Sequence, residues 1–331
     1  MKEFKVNTTD EGQTLLRYVS KILQKAPSSV IRKALRKKNI DLNGKKATGS
    51  EALKSGDSVK IWFSDETFEK FMAPQGKNST TAVKISKEAL NRFKRSIIYE
   101  DRNIAIVNKP ANLLSQSDDS GEVSLNDELR AHYSDLTKMQ TFKPSICNRL
   151  DRNTSGLVLC GLTTKGLQQM NAVLKDRSIH KYYKTIVYGR ITEAMELHGF
   201  LTKDHKTNEV KVTKEKVSAD SVPIETDLKP IAYIKIDDTI LTELEILLVT
   251  GRSHQIRAHL TSIGHPIIGD PKYFTPESRA FSDKQKVKRQ LLHSARVQMP
   301  KITGELSMLS GKEFEAPVPD DMEKLLKHRI K

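Results

Sequence analysis

The chain is short of several features that would commit it to a familiar class. Its 331 residues include only two cysteines, Cys147 and Cys160, too few for a disulfide framework or a thiolate metal centre, so both are expected to stay reduced. No stretch approaches the eighteen or so apolar residues of a membrane span. Met1 to Asp10, MKEFKVNTTD, lacks the apolar core of a signal peptide. There is no internal repeat and no long low-complexity tract. These absences lead to the expectation of a soluble, cytoplasmic protein with no membrane partner, and the length favours two domains over one.

Positive charge is in surplus. Against 41 Asp+Glu stand 56 Lys+Arg, a net +15 that attracts polyanions. The excess is concentrated at the start, where residues 1–63 hold 14 basic and six acidic side chains. Within that region Ser28 to Lys38, SSVIRKALRKK, reads as a short helix capped by Ser28 or Ser29. Val30, Ile31, Ala34 and Leu35 face inward, and Arg32, Lys33, Arg36 and Lys37 face outward. By itself such a charge run is a solvated surface. A strand, Ile40 to Leu42, then leads into an Asn43-Gly44 turn followed by Lys45 and Lys46, and a Gly56-Asp57 turn leads into a strand ending at Phe63. This order over residues 11–63 resembles the S-four type of RNA-binding domain. The resemblance implies that Arg32, Lys33, Arg36, Lys37, Lys45 and Lys46 contact the phosphates of folded RNA.

Residues 64–95 read as an exposed linker, with a polar stretch at Pro74 to Thr81. Residues 96–331 read as the second domain, with strands at Ile97 to Tyr99, Ile104 to Val107, Gly156 to Leu162, Tyr182 to Tyr188 and Leu241 to Thr250. Thr163 or Thr164 caps a helix whose Leu167, Met170 and Leu174 share a face, and a second helix runs from His254 to Ile263, capped by Ser253 and ended at Gly264. Strands outnumber helices without alternating with them. The expected class is therefore α+β, a small α/β N-terminal domain followed by a mixed, largely antiparallel sheet with flanking helices.

Polar chemistry gathers in three places. In Asn148 to Gly156, NRLDRNTSG, Asp151 lies beside Arg149 and Arg152, and positive charge favours the carboxylate. Alone, such an aspartate is more often half of a structural salt bridge. In Lys181 to Gly189, KYYKTIVYG, strand alternation places Tyr183 and Thr185 on one face. A tyrosine there is ordinarily packing, though it can stack on a base or handle a proton. The third segment runs from Gly251 to Asp270, and its histidines, 254, 259 and 265, are spaced five and six apart. That spacing does not make the i, i+4 pair of a helical metal site, so no metal is expected. Arg257 is suited to hold a carboxylate through a charge-assisted pair.

Together, RLDRNTSG, KYYKTIVYG and GRSHQIRAHLTSIGHPIIGD resemble the pseudouridine synthases of the RluA, RluC and RluD type. They are preceded by NKPANLL at Asn108 to Leu114 and followed by Leu292-His293-Ser294-Ala295, so the resemblance covers most of residues 95–300. It implies a monomeric, cofactor-free isomerase that converts uridines of structured RNA to pseudouridine in a central RNA cleft. Asp151 would be the nucleophile or base, Tyr183 the active-site tyrosine that takes the proton from carbon 5, Arg257 the basic partner and Ile256 its apolar neighbour. Arg149, Arg152, Arg252 and His254 would bind substrate, with Arg152 helping to displace the extruded base. An S-four domain in front matches the RluC and RluD organisation and favours large-subunit ribosomal RNA, with transfer RNA the alternative. One position departs from the family, which usually carries His before the RLD motif where this chain has Asn148, a changed supporting hydrogen bond. A non-catalytic RNA-binding or ribosome-assembly protein would have no need to keep Asp151, Tyr183 and Arg257 together. A metal-dependent nuclease would lack an acidic ligand set.

Overall fold

Two separate sheets account for the strands of the computed structural model, which describes residues 1–72, 85–134, 141–204 and 209–330. The first sheet has four strands in the order β1 (Lys2–Lys5), β4 (Ser58–Ile61), β2 (Ile40–Leu42) and β3 (Lys45–Lys46). Helices α1 (Leu15–Ile22) and α2 (Ser28–Arg36) complete it. Asn43 and Gly44, with φ of 52° and 75°, form the tight turn between β2 and β3 that the Asn-Gly pair predicts. Ile31, Ala34 and Leu35 of α2 are buried and its arginines and lysines exposed, as the periodicity predicts, whereas Val30, also expected to face inward, is only partly covered. The cap differs from expectation: the helix begins at Ser28 behind Pro27, and no serine side chain caps it.

This first unit is larger than residues 11–63. Lys2–Lys5 adds an edge strand beside β4, and Phe4 stacks on Phe68 with ring centroids 6.0 Å apart. Phe68 belongs to α3 (Asp65–Phe71), whose Phe68 and Phe71 join the same apolar cluster as Leu15, Ile31 and Val59. The expected linker is therefore shortened at both ends, because α4 (Lys87–Ser96) buries Phe93 in the main core of the remaining chain. The Pro74 to Thr81 stretch lies outside the described residues.

The second sheet has twelve strands. They are β5 (Ile97–Glu100), β6 (Ile104–Lys109), β7 (Ser145–Ile146), β8 (Ser155–Gly161), β9 (His180–Tyr188), β10 (Met195–Lys203), β11 (Val210–Thr213), β12 (Val222–Ile236), β13 (Thr239–Leu248), β14 (Leu292–Gln298), β15 (Glu313–Glu315) and β16 (Arg329–Ile330). The main path runs β11-β10-β12-β13-β9-β14-β8-β6-β5. Only the β14–β8 pair among the described strands is parallel, so the sheet is mixed and largely antiparallel, and the class is α+β. Around it pack α5 (Leu125–His132), α6 (Thr164–Lys175), α7 (Gln255–Ser262), α8 (Pro276–Lys284) and α9 (Asp320–Leu326). No helix among the described residues is long and apolar enough to cross a membrane.

The parallel crossing of β8 and β14 fixes one motif glycine. Gly156 has φ 111°, and a Cβ there would lie 2.2 Å from the Ser294 carbonyl oxygen, so no side chain fits. That contact sets the exit of the Asn148 to Thr154 loop against β14. Helix α6 is capped by Thr163, whose hydroxyl accepts from Gly166 N. Its buried face carries Met170 and Val173, with Leu167 and Leu174 only partly covered. Helix α7 differs more: it starts at Gln255 with no Ser253 cap, and every residue from Gln255 to Leu260 is buried.

Candidate active site

Loop residues 148–154 leave β7 and enter β8 tied down by backbone hydrogen bonds at Leu150, Asp151, Arg152, Asn153 and Thr154. Leu150 N donates to Ser115 Oγ at 3.0 Å, and that hydroxyl donates to Leu150 O at 2.7 Å. The Asp151 carbonyl accepts from Thr154 N, and the Asn153 carbonyl accepts from Arg289, itself clamped by Asp321. Asn148 Oδ1 accepts from Leu159 N at 2.8 Å, so the asparagine ties the loop's entry to the middle of β8. A loop held this way presents its side chains in a fixed arrangement, the condition for reactive geometry.

Lys109, at the end of β6, gives the loop its deepest anchor. Fully buried, its ammonium donates to the carbonyls of Pro110, Leu113 and Arg152 at 2.9, 2.8 and 2.9 Å. Burial pushes its pKa down to about 7, and the neighbouring Asp151 charge opposes that shift. Three carbonyl acceptors match the three N–H donors of the ammonium, so the charged form is the one this geometry serves.

A cavity of about 920 Å³ opens over the loop. Asp151, Tyr183 and Arg257 line it, as do Arg149, Arg152, Arg252, His254 and Ile256, so one space brings together every catalytic and substrate-binding position expected from the motifs. Six further positions, Arg32, Lys33, Arg36, Lys37, Lys45 and Lys46, lie exposed on α2 and the β2–β3 hairpin, away from the cavity lining.

Asp151 Oδ2 accepts from Arg257 NH1 at 3.0 Å. Arg257 comes from α7 and is 4% exposed. Its other edge makes a bidentate pair with Asp270, Nε to Oδ2 at 2.7 Å and NH2 to Oδ1 at 2.9 Å. Asp270 is buried and also accepts from the backbone N–H groups of Lys272 and Tyr273. Burial alone would lower the Arg257 pKa, but the two aspartates raise it above its ordinary value. A planar fork clamped on one side can offer its remaining N–H in one direction only. Asp270 thus fixes where Arg257 holds Asp151, a role its place in the third motif did not reveal.

His254 stands in the left-handed region at φ 54°, a strained position where α7 begins. Val210 N donates to the Tyr273 hydroxyl at 2.9 Å, and His254 Nδ1 shares a hydrogen bond with the same hydroxyl at 3.0 Å. Nε2 of the same ring lies 3.9 Å from Asp151 Oδ2. Burial lowers the pKa of His254, which favours the neutral imidazole. The three histidines of the motif point to different partners: His254 to Tyr273, His259 to Thr226, and His265 to the Tyr188 carbonyl. Gln255 replaces the expected serine cap. Its amide oxygen accepts from Arg252 N and Thr250 Oγ1, and its amide nitrogen donates to Glu225 O and Thr226 Oγ1.

Tyr183 is buried on β9, with Ile246 and Ser294 as its cross-strand neighbours. Burial pushes its phenol up to about 12, with Ser294 opposing the shift and Asp151 adding to it. The phenol is therefore protonated at neutral pH in the free protein. Cys147 also lines the cavity, but burial pushes its thiol up to about 12, so it is no nucleophile. Arg152 is held by Glu122, NH2 to Oε2 at 2.7 Å, across the mouth of the loop.

Residues 103–262 match the family described as RNA pseudouridylate synthase. An uncharacterized RNA pseudouridine synthase of Mycoplasma genitalium is 30% identical over 305 residues, covering 91% of this chain and 90% of the relative. The ribosomal large subunit pseudouridine synthase C of Rickettsia conorii is 31% identical over 313 residues, covering 93% and 95%. Among solved structures, human RNA pseudouridylate synthase domain containing 4 is similar with a TM-score of 0.57 at 19% identity, covering 72% of this chain and 94% of that one. That likeness shows the shared fold. Identity of 30% and 31% sustained over more than nine-tenths of this chain in two relatives places it in a family: it belongs to the RNA pseudouridine synthases.

Proposed function

We propose that the chain isomerises uridines of large-subunit ribosomal RNA to pseudouridine in the cytoplasm, with Asp151 as the group that opens the reaction. The observation that carries this reading is the partly exposed Asp151 carboxylate, held at 3.0 Å by an arginine that is itself buried and clamped by Asp270. The ribosomal substrate is supported by the relative's name, ribosomal large subunit pseudouridine synthase C. Residues 11–63, extended by β1 and α3, act as a separate RNA-binding domain through α2 and the β2–β3 hairpin.

Substrate and product contain the same atoms at the same oxidation level, so the reaction needs no external reductant or group donor. The bond between the ribose carbon 1′ and uracil N1 breaks, carbon 1′ joins carbon 5, carbon 5 gives up a proton and N1 takes one up, so the proton count is unchanged. Asp151 serves either as nucleophile at carbon 1′ or as base toward the ribose. Arg257 keeps its carboxylate aimed. Arg152 leaves Glu122 to help hold the nucleotide out of the stack. Ile256 and the Tyr183 ring enclose the base. A phenol pushed up to about 12 is a hydrogen-bond donor, so Tyr183 takes the carbon-5 proton only after its own has been handed on, which amends its expected role as base.

The test is tritium release from RNA labelled at carbon 5 of uridine, with wild type and Asp151→Asn compared on ribosomal and transfer RNA. Wild type should release tritium from ribosomal RNA, and Asp151→Asn should be slower by more than about 10⁴-fold with RNA affinity little changed. Full activity in the variant removes Asp151 from the mechanism. Release from transfer RNA alone reassigns the substrate.

A further inference from the structure

Lys181 and Arg177 are among the cations of the cleft that have no work in the chemistry above. Elsewhere, arginines at the edges of the sheet are paired: Arg289 with Asp321, Arg296 with Glu245 and Glu313, Arg329 with Glu243. Lys181 and Arg177 line the cleft, yet neither has an ion-pair or hydrogen-bond partner for its side chain among the described residues.

Lys181 is no ordinary surface lysine. It lies near the start of β9, two residues before Tyr183, so both side chains leave the same face of the strand and both reach the cleft. It is only partly exposed. Burial lowers its pKa and the Arg177 charge adds to the shift, which is the signature of a cation waiting for an anion. A Cβ built on Gly251 would stand 3.6 Å from the Lys181 nitrogen, so the Gly251 to Arg252 loop passes directly beside the ammonium with no side chain of its own there.

Arg177 gives an independent sign. It follows the C-terminus of α6 at φ 61°, a left-handed position usually taken by glycine. An arginine in that strained conformation, with an unpaired side chain lining the cleft, leads from the outlier to a functional hypothesis. Arg252, next to Gly251, brings a third positive charge to the same cavity.

We propose that Lys181 and Arg177, joined by Arg252, form a phosphate seat that grips the RNA backbone beside the extruded uridine. The inference rests on the pseudouridine synthase reading and adds a substrate-binding site to it. Two residues along a strand span about 6.6 Å, on the scale of one nucleotide step. The seated phosphate therefore belongs beside the nucleotide whose base meets Tyr183. Arginine supplies a two-pronged donor and lysine a point charge, the pairing that suits a phosphodiester.

The seat is tested with Lys181→Met, which keeps the stem and removes the charge, and Arg177→Gly, which also relieves the backbone. RNA affinity is measured by filter binding of a large-subunit ribosomal RNA transcript over a range of KCl, alongside tritium release and thermal unfolding with and without inorganic phosphate. Each variant should bind RNA about tenfold more weakly. The slope of log affinity against log salt should fall by about 0.7 to 0.9 for each lost phosphate contact. Losses in rate should lie more in KM than in kcat, and thermal midpoints should not fall, since an unpaired charge or a strained residue is removed. Should Lys181→Met misfold, Lys181→Gln reads the same charge. Wild-type affinity and salt slope in both variants would overturn the proposal. If inorganic phosphate stabilises wild type but not the variants while RNA binding is untouched, the seat serves a free anion and the backbone assignment falls. Absence of tritium release from any RNA by wild type defeats the isomerase reading instead, and the binding slopes still report on the seat.

Discussion

On α2 and the hairpin after it, Arg32, Lys33, Arg36, Lys37, Lys45 and Lys46 stand exposed, without ion pairs among the described residues. In the cleft, Arg257 is 4% exposed and bound to two aspartates, and Lys109 is fully buried under three carbonyls. The same charge is used in two ways. Exposed cations gain from displaced counterions and accept any phosphate that comes near, so they add affinity and salt dependence with little geometric demand. Buried cations are costly unless every donor is satisfied, and so they fix positions. The first region should tolerate conservative change and fail gradually. The second should fail at single substitutions.

After loss of Asp151 itself, the largest effect is expected at Asp270→Asn. The variant keeps the shape but leaves the buried Arg257 guanidinium with one carboxylate in place of two. Breaking a buried pair costs about 3–5 kcal/mol, and loosening Arg257 should reduce kcat by roughly 10²-fold, as a small misplacement of a reacting group does. Urea unfolding and tritium release on the same preparation measure both. Wild-type turnover in Asp270→Asn would mean that the clamp does not position Asp151.

Lys109→Met should have the next largest effect and carries a pH signature. The lysine's pKa is lowered from 10.5 to about 7 in the folded chain. Between those values the unfolded chain holds a proton that the folded chain has released, so raising the pH favours folding. Wild type should therefore gain stability from pH 7 to 10, and Lys109→Met should lack that gain. The variant also leaves the Pro110, Leu113 and Arg152 carbonyls without their donor, and turnover should drop at least tenfold at pH 7. A stability profile parallel to wild type would show that Lys109 does not titrate in this window.

The sequence carried the exposed region almost completely. The outward face of α2 and the Asn43-Gly44 turn follow from local rules of periodicity and turn geometry. Some strands escaped notice for reasons that are also local. Lys2–Lys5 has one apolar side chain in four residues, and Pro223 and Pro230 disguise the fifteen-residue β12, which tolerates Pro230 at a register shift. In the cleft the legible residues were those proposed to act directly, Asp151, Tyr183 and Arg257, because their motifs resemble family motifs. Lys109, Ser115, Gln255 and Asp270 were not legible in their roles. Each works by reaching a segment distant in sequence or a backbone group, as when Ser115 bridges to Leu150 across 35 positions, and no periodicity records such a closure.

The smallest effect on chemistry, and the sharpest contrast with the cleft, is expected from Arg36→Glu with Lys37→Glu. Both side chains are exposed at the end of α2, so reversing them leaves no buried group unsatisfied, and stability should stay within about 0.5 kcal/mol of wild type. RNA affinity should fall and its salt slope should flatten by about 0.7 to 0.9 for each phosphate contact removed. The rate loss should shrink as RNA concentration rises, unlike that of Asp270→Asn, which more RNA cannot restore. If high RNA fails to recover the double variant, the N-terminal unit does more than add affinity: it places the target uridine over the cleft, and the division of labour between loose and fixed cations has to be redrawn.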